Sequence, residues 1–89
     1  MTRIPLLLVG LALVFPATAS ARSCSSNEPG AGNLTARNVS CAKARIILNA
    51  RLNGETRPFN FTCKARPYEG GSTTTCTKGD RRVRFQIAD

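Results

Sequence analysis

The chain has 89 residues, a formal charge of +8 and no histidine, with five carboxylates against 13 lysines and arginines. That length holds one domain. The missing histidine and the scattered carboxylates (Glu28, Glu55, Glu69, Asp80, Asp89) argue against acid–base catalysis near neutral pH, so no enzyme is expected.

Residues 1–21 read as a secretory signal to be cleaved. Arg3 supplies a positive start, Ile4 to Phe15 is apolar, and Ala19-Ser20-Ala21 offers the small residues a signal peptidase needs. The apolar run is short for a bilayer span. Removing it takes away Arg3 and lowers the formal charge by one. Residues 22–33, rich in Ser, Gly, Asn and Pro, read as an extended lead-in tied down by Cys24.

Residues 34–89 are expected to form a single disulfide-stabilised α+β domain. Leu34-Thr35-Ala36-Arg37 alternates apolar and polar, as a short strand does. A helix follows over Cys41 to Leu52. Ser40 is a good N-cap, Ala, Leu, Lys and Arg favour the helical state, and Asn53-Gly54 stops it. Cys41, Ala44, Leu48 and Leu52 share its inner face, with Ile47 beside them. Ala42, Ile46 and Ala50 form a second, weaker stripe. Neighbouring loops are expected to cover Ile46; otherwise the stripe meets a partner or a second copy.

Phe59 to Arg66 alternates and reads as a strand ended by Pro67. Tyr68 to Ser72 reads as a turn, Thr73 to Thr77 as a β-prone stretch, Lys78 to Arg81 as a second turn, and Arg82 to Ile87 as the last strand. The architecture is then β-α-β-β-β, one helix packed on a small antiparallel sheet, with the Thr-rich strand in the middle of a meander. Phe59, Phe61, Ala65, Val83, Phe85 and Ile87 are expected on the core face. Lys64, Arg66, Arg82, Arg84, Thr73 and Thr75 fall on the opposite face and form the candidate binding surface. A one-sided sheet carries such a polar face in any case.

Cys24, Cys41, Cys63 and Cys76 remain after the leader, an even number that reads as two disulfides in an exported chain. There is no Cys-x-x-Cys pair and no histidine to make a zinc site, and no cofactor is expected. Folding the first hairpin at Glu69-Gly70 sets Cys63 opposite Cys76. Three pairings are open. A helix lying over the middle of the sheet favours Cys41–Cys76 with Cys24–Cys63. A direct Cys63–Cys76 rung would leave the helix unstapled to the sheet.

The charge balance favours an anionic partner, such as a cell-wall polymer, without choosing one. Nucleic acid is disfavoured, because the basic face has no aromatic residues on which to stack bases. The alternative is a protease-inhibitor-like, protein-binding domain presenting Arg66 within a cystine-bounded loop, although Pro67 would follow the scissile position. Three Asn-x-Ser/Thr triplets begin at Asn33, Asn38 and Asn60; they read as chance in an Asn- and Thr-rich chain.

The pattern Val39-Ser40-Cys41-x-x-Ala44-Arg45, then Phe61-x-Cys63, then Cys76-x-x-Gly79 with Val83-Arg84-Phe85, resembles small exported proteins of actinobacteria of uncharacterised function. The resemblance implies a bacterial extracytoplasmic domain and brings no catalytic residues. The expectation is a secreted, small basic binding or structural module that associates with the cell envelope or another extracellular anionic partner.

Overall fold

The computed structural model describes residues 20–89, so most of the signal-like leader lies outside the described residues. Strand β1 (Arg22–Cys24) and β2 (Ala31–Arg37) precede the helix α1 (Cys41–Leu52). A 3-10 turn (Pro58–Asn60) follows, then β3 (Thr62–Tyr68), β4 (Gly71–Lys78) and β5 (Arg81–Ala88). All pairings are antiparallel and the strand order is β1-β2-β5-β4-β3. The α+β reading stands, with one more strand than the alternation foretold.

The helix has the ends its sequence called for. Ser40 Oγ accepts from the Lys43 N–H at 3.1 Å. At the other end the Gly54 N–H donates to the Arg51 carbonyl and the Glu55 N–H to the Ala50 carbonyl, with Gly54 at φ 96°. This is a Schellman cap, which satisfies the last carbonyls through a left-handed residue. Ala44, Ile47 and Leu48 are fully buried. They meet Leu34 and Ala36 of β2 and Val83 and Phe85 of β5 in one core, which Val39 and Phe61 close.

The lead-in proves to be structured. Arg22, Ser23 and Cys24 pair with Ala36, Thr35 and Leu34. Glu28-Pro29-Gly30-Ala31 turns the chain between the strands, with an Ala31 N–H to Glu28 carbonyl bond and Gly30 at φ 79°. Proline second and a positive-φ glycine third is the type II pattern. Two polar residues and one cysteine show too little periodicity to read as a strand; the partner strand decides their state.

Two strand boundaries also shift. Phe59 and Asn60 take left-handed backbone (φ 52° and 67°) in the 3-10 turn, so β3 starts only at Thr62. Phe59, expected in the core, is 47 % exposed. At the other end β3 passes through Pro67 to Tyr68. The Cα atoms of Cys63 and Cys76 are only 4.0 Å apart. Such closeness marks a non-hydrogen-bonded pair, whose backbone N–H and C=O groups point away from the partner strand. Pro67 has the same phase on an edge strand, so its missing N–H costs no ladder bond. Ala65, also expected inside, is exposed because the helix packs over β2 and β5 and leaves the far end of β3 uncovered.

The disulfides are Cys24–Cys41 and Cys63–Cys76. This corrects the preferred set, Cys41–Cys76 with Cys24–Cys63. That set placed the first strands beside β3 and the helix over β4. In the fold, β2 instead lies against β5, where Leu34 and Ala36 meet the large side chains Val83 and Phe85. The helix follows β2 directly, so its first turn stands over β1 and Cys41 finds Cys24. Cys63 and Cys76 face each other across β3 and β4, as the hairpin register foretold. The helix is therefore stapled after all, to β1.

Two disulfides are compatible with an extracytoplasmic protein. Among the described residues no helix is long and apolar enough to cross a membrane.

Candidate functional site

The outer face of the sheet follows from register. One row across the strands reads Thr35, Arg84, Thr75, Lys64. The row on the side of the β4–β5 turn reads Arg37, Arg82, Thr77, Thr62. The row on the other side reads Gln86, Thr73, Arg66. Rows stand about 7 Å apart, two residues along a strand, and neighbouring strands about 4.8 Å apart.

Lys64, Arg66, Thr73, Thr75 and Arg84 line one shallow concavity of about 450 Å³, closed at one end by Tyr68. Five of the six residues expected on the binding face thus come together. Arg82 lies in the next row and lines a smaller concavity with Arg37, Thr77 and Asp80. The sequence reading missed Arg37. Its outward phase was legible in Leu34-Thr35-Ala36-Arg37, but its neighbour Arg82 was not, because that contact depends on β2 joining β5. Nε of Arg37 is buried and finds no hydrogen-bond partner among the described residues.

The strand positions of this face carry no carboxylate. Glu69 and Asp80 sit in the two hairpin turns at its ends, Asp80 lining the concavity of Arg37 and Arg82; Asp89 follows β5 beside the first turn, its N–H donating to the Gly70 carbonyl at 2.9 Å, and Glu28 and Glu55 lie at the helix. Uncharged polar groups hold one flank in place. Asn33 Nδ2 donates to Gln86 Oε1, and Gln86 Nε2 donates to Thr73 Oγ1 at 3.4 Å. Asn33 itself sits at a bulge in β2, where Asn33 and Leu34 together oppose Phe85. Its φ is 50°. Asn38 (φ 58°) and Asn60 share this left-handed state, which asparagine tolerates better than most residues. The backbone thus gives a reason for the asparagine in each of the three Asn-x-Ser/Thr triplets.

A second concavity of about 670 Å³ runs along the helix, with Ala42, Ile46 and Phe59 on its floor. Ile46 is 50 % exposed, so the loops do not cover it as expected. The loop after α1 instead turns Phe59 outward, and the Lys43 ammonium rests 4.1 Å from the centre of its ring. Of the polar side chains at this cleft, Glu28, Arg45, Asn49 and Asn53 are already engaged within the chain. Asn49 Nδ2 donates to Glu28 Oε2 at 3.1 Å, and the Arg45 guanidinium donates to the Ser25 carbonyl at 3.2 Å. These bonds clamp the β1–β2 loop onto the helix. Among the described residues no comparable side-chain bond holds Lys64, Arg66, Arg82 or Arg84, so the sheet face keeps its cations available and the helix cleft does not.

Arg66 to Cys76, expected as a cystine-bounded loop, is a tight hairpin of paired strands with Glu69-Gly70 at its turn. It presents no projecting loop. Comparison of the chain with protein-family models, with curated proteins and with solved structures finds no match.

Proposed function

We propose that this protein is a secreted, non-enzymatic module whose outer sheet face binds an anionic polymer of the cell envelope. The observation that carries the reading is the segregation of charge. Lys64, Arg66, Arg82, Arg84 and Arg37 share one face whose strand positions carry no acid, across a sheet whose other face is buried on β2, β5 and β4. The hydroxyls of Thr73, Thr75 and Thr77 stand between the cations as further donors to anionic oxygens. The Cys63–Cys76 rung fixes β3 to β4 and so holds Lys64 in register with Arg84. The two disulfides and the resemblance to exported actinobacterial proteins support the extracellular setting, and the cleaved leader belongs to the same proposal.

The purified protein is expected to be retained on immobilised lipoteichoic acid or heparin and to elute as salt rises, because exposed charges are screened. Lys64→Ala combined with Arg84→Ala should elute at clearly lower salt while keeping the parent's unfolding midpoint. Unchanged elution of that variant would remove the proposal.

A further inference from the structure

The five cations do not fill the face evenly. Arg37 and Arg82 are neighbours in one row; Arg82 and Arg84 are two residues apart on β5; Arg84 and Lys64 share the next row; Lys64 and Arg66 are two residues apart on β3. They form a staircase running obliquely across β2, β5, β4 and β3. The corners to either side are uncharged: Thr62 and Thr77 on one flank, the bonded Asn33–Gln86–Thr73 chain on the other. From Arg37 to Arg66 the backbone positions span about 20 Å, taking three strand gaps and two rows of the sheet.

Resting on the function proposed above, we infer that the face is a diagonal track for a linear, base-free polyphosphodiester, such as a poly(alditol phosphate). Successive phosphates would meet Arg37 with Arg82, then Arg84, then Lys64 with Arg66. The threonine column, lying between the last two steps, would donate hydroxyls where the spacing between cations is widest. A single small anion would use one or two of these groups; only an extended chain uses all five. One aromatic residue, Tyr68, lines the concavity with Lys64, Arg66 and Arg84, which corrects the expectation of a basic face without aromatics; it stands beyond Arg66 at the end of the track, so one base finds a ring there and a run of bases has no series of rings to stack on.

The test uses the full mature protein and poly(glycerol phosphate) of graded length, with binding measured across a range of salt. Arg37→Gln with Arg66→Gln removes the two ends of the track. Arg57→Gln with Lys78→Gln removes the same charge from exposed positions away from it. The slope of log affinity against log salt should fall by about two units for the end variant and stay unchanged for the control. Chains too short to span the track should bind at least tenfold more weakly than long ones. Equal slopes for the two variants would overturn the track and leave the proposed function standing, since the polymer would then feel only diffuse charge. Competition by monomeric glycerol phosphate at equal phosphate concentration would also overturn it, as would tighter binding of oligo(dT) of matched charge. Failure of every polymer to bind would sink the proposed function itself.

Discussion

The two faces of the same sheet differ in what each residue does for the protein. On the inner face of β5, Val83 and Phe85 are completely buried against the helix. On its outer face Arg82 and Arg84, each next in sequence to one of them, are exposed. Every second residue builds the core, and every other one is free to serve a partner. The lesson is that stability and binding are separable by parity in this chain, so substitutions one residue apart should give opposite phenotypes.

The largest effect belongs to the inner face. Phe85→Ala should cost on the order of 3–5 kcal/mol through lost burial and a residual cavity. Domains of this kind hold only about 5–15 kcal/mol in total, and a short chain sits at the low end. Urea denaturation should therefore find most of its stability gone. A loss below about 1 kcal/mol would show that the helix does not seal this face.

The disulfides come next and sharpen the comparison within the inner side. They enclose loops of similar length, with sequence separations of 17 and 13. Loop-closure entropy then assigns each about 3 kcal/mol. Replacing Cys24 and Cys41 together by alanine should also free β1, a three-residue edge strand, so its amides should exchange rapidly while the meander stays protected. Replacing Cys63 and Cys76 should lower the unfolding midpoint by a similar amount yet leave β1 protected. If the second variant exposes β1 as readily as the first, the assignment of separate tasks fails.

A smaller effect is expected at Gly71→Ala. A Cβ there would collide with the Ile87 carbonyl oxygen and press on Tyr68 Oη. Overpacking of this kind costs about 1–3 kcal/mol, and a wild-type midpoint for the alanine variant would contradict the close β4–β5 approach. The smallest effect lies on the outer face. Arg84→Ala should change stability by no more than about 0.5 kcal/mol, whereas its retention on an anionic matrix should weaken. Equal destabilisation by Arg84→Ala and Phe85→Ala would collapse the distinction between the faces.

Much of this was legible from local chemistry. The helix ran from Cys41 to Leu52 as expected because a hydroxyl cap, strong helix formers and an Asn-Gly stop agree over one short stretch. The meander was legible because alternation and glycine turns fix hairpin register without help from distant residues. For the same reason Cys63 and Cys76 were placed opposite each other, and five of the six candidate binding residues met in one concavity. Phe59 misled the reading, since its alternation with Phe61 is that of a strand, while Pro58 and the left-handed Asn60 turn its side chain outward.

What the sequence determined by itself was thus local: which residues are helical, which alternate, and which face of each strand is charged. Tertiary structure alone decided that β2 joins β5 instead of β3, and with it the disulfide pairing, the strand status of Arg22–Cys24 and the meeting of Arg37 with Arg82. The physical reason is that pairing between strands far apart in the chain is chosen by the apolar area they bury together. Leu34 and Ala36 gain more against Val83 and Phe85 than against a β3 whose inner face offers Cys63 and the exposed Ala65.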